Sequence, residues 1–320
     1  MEPRAESSIV KQVEQVEQEQ SKRRLFRLSL GQRHSLWAYL FLLVPMAYLT
    51  YTRFIPIFSS INMSFRRWTI LRPERPLVGF ENYAAMLADS QLHTSVTNTL
   101  LIAVIKVPVE LVLALGIALL IQRLPRYTSL YRLIYFIPFM TIGPAVAKIW
   151  RWAFAPQRGP INLTLDAVGL PQQPFLNDPD QALYAMIVVL IWAGLGFSTV
   201  LMLAGLTQIP RIYYEAALVD GANNRQLFRH ITLPLLNPTL VLYLVTSTIS
   251  ALQTFTMAFL LTAAPGGILD STRTVMLHVY EVGFTRLKMG YAASITVSVL
   301  IFMLVLTVIQ LRVTTRRFEY

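Results

Sequence analysis

The stretch "EAALVDGANNRQLFRHITLPLL", residues 215–236, sets charged and amide side chains between two segments apolar enough to cross a membrane. Residues 213–219 predict a short helix in which Ala216 and Ala217 present almost no side chain, so that another surface can approach the backbone closely. Gly221 suits a helix C-terminal turn that needs positive φ, and a second helix is expected from Asn223 to Ile231, stopping before Pro234. Helix, turn and helix make a rigid knob without a catalytic group, which is best explained as a docking surface for a soluble partner. An ordinary interfacial loop is the plainer alternative, and composition alone leaves it open.

The flanking sequence says what carries the knob. Of the 320 residues, 54% are hydrophobic and 14% charged, and the mean hydropathy is +0.50, whereas soluble domains carry about a quarter of their residues as charged side chains. The chain is therefore a membrane protein. A helix needs about 20 mostly apolar residues to cross the hydrocarbon layer, and six segments qualify: 36–62, 97–121, 130–153, 182–206, 237–262 and 290–312. An even number puts both termini on one side. The segments on that side carry sixteen Lys and Arg against nine on the other, so the termini and the 207–236 loop are expected in the cytoplasm.

The formal charge of +11 follows from this asymmetry and from attraction to anionic lipid headgroups. No basic patch with interleaved aromatics points to nucleic acid. Without cysteine there is no disulfide, thiolate metal site or cysteine nucleophile. About 35 polar residues precede the first apolar run, so that run is expected to be a retained anchor and not a signal peptide. Residues 1–24 are rich in Glu, Gln, Lys and Arg and predict disorder or a loose surface helix. The segment from Leu25 to Trp37 predicts an interfacial stretch. On the opposite side, "FENYAAMLA" predicts a short amphipathic helix, 154–182 is turn-rich, and an interfacial helix is expected near Val279 and Tyr280.

Catalytic patterns are missing. No GxxxxGK[ST] loop occurs, so the chain does not hydrolyse ATP by itself. His34, His93, His230 and His278 form no metal-binding pair, and neither a GxSxG elbow nor an SxxK pair is present. No catalytic residue, metal or cofactor is assigned to the chain. Spans without chemistry suggest a pathway. Lys106 and Glu110 stand at i, i+4 in the second span, on one helix face and able to pair; they read as a structural ion pair or as a lining that meets substrate. Gln253, Thr254 and Thr256 beside Phe255 can hydrogen-bond hydroxyls and offer a flat apolar face, or simply glue helices together. Arg53 is placed to snorkel, while Lys148, Trp150, Arg151 and Trp152 read as an anchoring belt.

The pattern Glu215-Ala216-Ala217, three residues, Gly221, nine residues, Ile231, one residue, Leu233-Pro234 resembles the EAA loop of permease subunits of bacterial ABC importers. Further matches resemble the carbohydrate-uptake branch, of the maltose and glycerol-3-phosphate type: "GFENYAAML", "NTL" at 98–100, "IPFMTIGPAVAKIWRWAF", "GPIN" at 159–162 and "GYAASITV". The family's Thr-x-Gly-Gly-Pro reads Thr262-Ala263-Ala264-Pro265-Gly266-Gly267 here, which keeps a Pro-Gly turn but departs in register.

The resemblance implies an all-α, six-span importer permease of the type I fold. It would comprise an N-terminal tail over 1–35, a transmembrane domain over 36–312 with its coupling loop at 207–236, and a C-terminal tail over 313–320. It implies a second, different permease chain, two ATPase subunits that carry the ATP and magnesium, and an extracytoplasmic solute-binding protein. Glu215, Ala216, Ala217, Asp220, Gly221, Leu233 and Pro234 would couple to the ATPase. Asn98, Lys106, Glu110, Gln253, Phe255 and Thr256 are the candidates for the substrate pathway. The implied cargo is a sugar, oligosaccharide or polyol; an anionic glycerol phosphate ester, with Lys106 or Arg53 as counter-charge, is the rival within the family, and an ion-coupled carrier or a membrane enzyme the rival outside it.

Overall fold

Apolar runs in lipid must satisfy their backbone internally, which leaves helices as the spanning elements of a chain patterned like this one. A computed structural model of the protein shows such helices; it describes residues 30–71, 74–123 and 139–314. Residues 1–29, most of the 122–132 segment and residues 315–320 lie outside that range. The described chain forms two units, dividing at Ser59 and Ser60.

In the first unit, helix α1 (Leu30–Leu49) passes through a π-turn (Thr50–Phe54) into α2 (Ile55–Ser64), which crosses the unit boundary. Tyr39, Phe41, Val44 and Tyr51 are exposed, as befits a surface solvated by lipid. Arg53 lies in the π-turn, also exposed.

The second unit contains the bundle. Helix α3 (Glu81–Met86) is the expected amphipathic helix. Helix α4 (Ser90–Arg123) is 34 residues long and starts well before the expected apolar run, the mixed polar and apolar residues from Ser90 to Val96 adding about two turns at its start. Then follow α5 (Gly143–Ala153), α6 (Pro160–Ala167), α7 (Pro179–Gln208), α8 (Arg211–Val219) and α9 (Asn224–Leu227). A π-turn (Phe228–Thr232) leads into α10 (Leu233–Leu235), α11 (Asn237–Leu252) and α12 (Thr256–Leu260). Helix α13 (Val275–Tyr280) runs into a π-turn (Glu281–Thr285), and α14 (Met289–Thr314) closes the chain.

Among the described residues, five helical segments are long and apolar enough to span: Trp37–Ser64, Ser90–Gln122, Pro179–Gln208, Asn237–Leu260 and Met289–Thr314. The sixth expected span, 130–153, falls partly outside the described residues, which resume at 139. Its described part is not one continuous helix, because Ile142 is extended (φ −61°, ψ 137°) ahead of the Gly143-Pro144 start of α5. Proline at N1 or N2 is where a helix begins, not where it continues.

The core lies where α4 and α7 pack together, with Ile102, Val107, Ala114 and Ala118 of α4 buried beside Met186, Val189, Met202 and Leu206 of α7. Glycine lets α7 approach its neighbours. A Cβ on Gly205 would stand 2.3 Å from Thr239 Oγ1, and one on Gly194 would stand 2.6 Å from Glu110 Oε1.

Two expectations need correction. The 154–182 segment contains a true helix, α6, which the turn-forming residues obscured; Pro160 begins it, and buried Asn162 locks it by donating to the carbonyls of Pro156 and Gln173 and accepting from Gln173 N–H. Helix α13 forms where the helix near Val279 and Tyr280 is expected, with Val275, Leu277 and His278 buried against α4 and α14. The second helix of the 215–236 stretch does not stop before Pro234. It widens into the π-turn Phe228–Thr232 and continues through Pro234, the wider turn relieving the clash that a proline ring makes with the preceding turn.

Candidate functional site

The knob at 211–236 is built as its residues dictate. Helix α8 ends at Val219 with Asp220 as its C-cap, and Gly221 takes φ +80°. Gly221 N–H donates to the Leu218 carbonyl at 3.1 Å and Ala222 N–H to the Ala217 carbonyl at 2.9 Å, the paired bonds of a Schellman termination. Asn223 then opens α9 with a reciprocal cap, its side chain accepting from Gln226 N–H while Gln226 accepts from Asn223 N–H. Tyr214 Oη lies 3.0 Å from Thr232 Oγ1 and ties the two helices together. Glu215, Ala216 and Asp220 are exposed on this unit, Ala217 is half-buried, and Leu233 and Pro234 sit where the second helix turns back toward α11. A cavity of about 850 Å³, lined by Tyr214, Glu215, Leu227 and Phe228 with Ile121 and Leu206, lies between the knob and the ends of α4 and α7.

Within the span, Lys106 and Glu110 form the expected pair at 2.7 Å, with side chains 6% and 2% exposed. Neither charge is left to the pair alone. Lys106 Nζ donates to Ser247 Oγ at 3.2 Å, Ser198 Oγ donates to Glu110 Oε1, and Tyr243 Oη, close to Ser247, donates to the Val107 carbonyl at 2.8 Å. This cluster joins α4, α7 and α11 and borders a cavity of about 240 Å³ that Phe139, Phe197, Thr246 and Ser250 also line. The Phe139 and Phe197 rings stack at 5.3 Å. Sequence reasoning found Lys106 and Glu110 but missed Ser198, Ser247, Tyr243 and Gly194. Hydroxyls spread over two other spans give no local pattern; Gly194, in a mostly bulky apolar run, is the signal that something presses on α7 there.

The other pathway candidates are dispersed. Asn98 is buried, and its Nδ2 donates to the carbonyls of Asp270 and Arg273, both at 3.0 Å, so it fastens the 261–274 segment to α4. Gln253 and Phe255 fall in the break between α11 and α12. Gln253 is exposed, with its amide 3.9 Å from Met303 Sδ; Phe255 stacks on Phe259 at 5.4 Å and meets Tyr280 at 5.3 Å. Thr256 opens α12 against Gly143 of α5.

A second polar cluster, unsuspected from sequence, sits at the bundle end away from the knob. Arg273 is buried between Asp270 (2.7 Å) and Glu281. His278, with no exposed surface, places Nε2 3.2 Å from Asp89 Oδ2, which also accepts from Tyr291 Oη at 2.8 Å. Burial opposes the charge on His278 and lowers its pKa, the Asp89 carboxylate only partly offsetting this. Burial also opposes the Asp89 charge, yet the Leu92 N–H, the Tyr291 hydroxyl and His278 together hold that carboxyl below its usual range. The partners are 189 residues apart in sequence, which is why no motif announces them.

Two of the segments that carried the resemblance hold the chain between α2 and α3 in place. Asn82 in "GFENYAAML" donates to the carbonyls of Ser64 and Arg66. Gly290 of "GYAASITV" abuts the Arg66 carbonyl so closely that a Cβ would stand 2.0 Å from it. Residues 110–319 match the model of the family described as binding-protein-dependent transport system inner membrane component. The chain belongs to that family. It is an ABC transporter permease subunit and not itself an enzyme.

Among members of this family, the chain is 33% identical to a probable ABC transporter permease protein of Pyrococcus horikoshii, over 83% of this chain and 91% of that one. It is 34% identical to the sulfoquinovosyl glycerol transport system permease of Agrobacterium fabrum, over 86% and 85% of the two chains, and 31% identical to the trehalose/maltose permease MalF of Thermococcus litoralis, over 89% and 95%. A chain of a bacterial ABC transporter that imports the acidic polysaccharide alginate superposes with a TM-score of 0.79 at 22% identity, over 90% of this permease and 98% of that chain. That likeness concerns the fold.

Proposed function

We propose that this permease forms half of the translocation pathway for a sugar, oligosaccharide or polyol, with the knob at 211–236 as the joint through which ATP hydrolysis on companion subunits drives it. The Schellman termination at Gly221 carries the reading: it holds Glu215, Ala216 and Asp220 on a rigid, exposed turn that has no chemistry of its own to perform. The excess of Lys and Arg supports a cytoplasmic position for the knob and both termini, where two ATPase subunits would engage it. A second, different permease chain completes the pathway, and an extracytoplasmic binding protein delivers the cargo to the opposite end.

The midspan cavity supports a neutral cargo. Its hydroxyls and the stacked Phe139 and Phe197 suit a ligand with many hydroxyl groups and apolar ring faces. The Lys106 charge is already matched by Glu110, so it is not a spare counter-charge for a phosphate ester. The relative named for trehalose and maltose agrees with a neutral glycoside cargo.

The test is Gly221→Val in the complete importer reconstituted in vesicles. A β-branched residue at φ +80° is strained by about 1–2 kcal/mol. ATP hydrolysis should persist but lose its dependence on sugar while uptake is lost, and Gly221→Asn, which tolerates this backbone region, should retain much of the uptake. Normal uptake by Gly221→Val would overturn the joint.

A further inference from the structure

Two cavities at the bundle end away from the knob lie along the same three helices. The first, about 780 Å³, is lined by Arg67, Trp68, Thr69, Arg286, Lys288 and Tyr291, among others. The second, about 190 Å³, is an apolar slot bordered by Met86, Leu92, Val96, Ile295, Val299 and Phe302. On α3, Asn82 and Ala85 face the polar cavity and Met86 the slot. On α4 the change comes between Gln91 and Leu92, and on α14 between Tyr291 and Ile295. Tyr291, Ile295, Ser298, Val299 and Phe302 recur at the spacing of one helix face, so the slot continues from the polar cavity along the helix axis toward the middle of the span.

The chemistry of the two parts is complementary. Three cations line the polar cavity against one carboxylate, Asp89, which is already engaged by Tyr291, His278 and the Leu92 N–H. Arg67 is paired with Glu81 and Arg286 donates to Gln91. Lys288 is exposed and has no ion pair among the described residues. In the slot, the hydroxyls of Thr99 and Ser298 are turned to backbone carbonyls of their own helices, leaving a hydrocarbon lining.

We propose that these cavities together bind one anionic phospholipid, its phosphate between Lys288 and Arg286 beside Trp68, and one acyl chain in the slot. An acidic protein surface would answer the cations but would leave the slot without an occupant; a lipid answers both. The bound leaflet is the one at the α3 end of the bundle, which is the outer leaflet on the orientation proposed above. The site would tie the 65–89 and 281–291 segments to the bilayer at the end where cargo enters.

The experiment is native mass spectrometry of the full-length chain after equilibration with mixed micelles of phosphatidylglycerol and phosphatidylcholine. One phosphatidylglycerol should be retained in preference to phosphatidylcholine. Lys288→Gln should cut that preference about fivefold, the effect of one cation near a lipid headgroup, while Lys288→Arg preserves it. Val299→Trp, which fills the slot, should lower retention with the headgroup cavity intact. Equal retention of the two lipids, an unchanged preference in Lys288→Gln, or displacement of the lipid by inorganic phosphate alone would overturn the proposal. So would a Lys288→Gln variant that keeps its lipid and instead loses affinity for an acidic soluble protein. The readout does not depend on transport, so it stands or falls separately from the cargo and the coupling joint.

Discussion

Gly194 on α7 stands against Glu110 on α4, so close that a Cβ there would lie 2.6 Å from Oε1 and 3.0 Å from the carboxyl carbon. The absence of a side chain at residue 194 is what lets a carboxylate occupy the α4–α7 seam while still reaching Lys106 and Ser198. Small residues do this between membrane helices generally, since close backbone approach is what packing in lipid rewards.

Gly194→Ala should therefore destabilise the bundle by about 1–3 kcal/mol through overpacking. Unfolding of the purified chain in a denaturing detergent series measures this. In a Glu110→Ala background the same substitution should cost much less, giving a coupling of about 0.5–3 kcal/mol between the two positions. Equal costs in both backgrounds would mean that the carboxylate does not fill that space.

The ion pair itself is a matter of mutual dependence. Lys106→Met alone leaves Glu110 buried without its cation and should cost about 3–5 kcal/mol, whereas Lys106→Met combined with Glu110→Gln removes both charges and should recover most of the loss. The same unfolding series decides it. If the double variant transports its sugar normally, the pair is structural; if it is stable but does not transport, the pair meets the cargo.

At the other end of the bundle stability should depend on pH. Burial lowers the His278 pKa from its ordinary 6.5. The folded state then binds fewer protons than the unfolded one, so the contribution of neutral His278 is present above 6.5 and is lost as pH falls below it. Asp89, held below 3.8, loses its contribution only at still lower pH. The thermal midpoint should fall between about pH 7 and pH 5 in the native chain. His278→Gln, which cannot take up the proton, should flatten that dependence; an unchanged slope would point to another titrating group.

Much of this was readable in the residues. Glu215-Ala216-Ala217 and Gly221 are contiguous or nearly so, and local backbone rules tie them to a turn, so the helix and its turn are legible in the sequence. Lys106 and Glu110 were legible because i, i+4 spacing is itself a distance. The proline after the π-turn misled, since a helix that widens by one residue can absorb a ring that an α-turn cannot. Asn98 was legible as a polar residue in a span but not in its role, because its partners at 270 and 273 are brought to it only by the folded 261–274 segment. Asp89 and His278 were invisible for the same reason: a tertiary contact across 189 residues leaves no period and no motif.

That segment yields the last prediction. Arg273 is 6% exposed and spans Asp270 and Glu281, and its own carbonyl, with that of Asp270, accepts from Asn98. Leu269 and Asp270 sit at φ 52° and 60°, where an L side chain is strained, and Gly266 and Gly267 are also at positive φ. A strained segment persists only while its surroundings over-determine it. Arg273→Ala leaves two carboxylates without their cation and should loosen the segment, whereas Arg273→Lys keeps the charge but cannot supply the guanidinium fork to both acids. Limited proteolysis at 262–272 should thus rank the chains native, then Arg273→Lys, then Arg273→Ala in order of rising cleavage. Asn98→Ala should raise cleavage at the same place, since the carbonyls of Asp270 and Arg273 lose their donor. Cleavage unchanged in both Asn98→Ala and Arg273→Ala would show that the α4 contact, the ion pairs and the fork do not hold this segment at all.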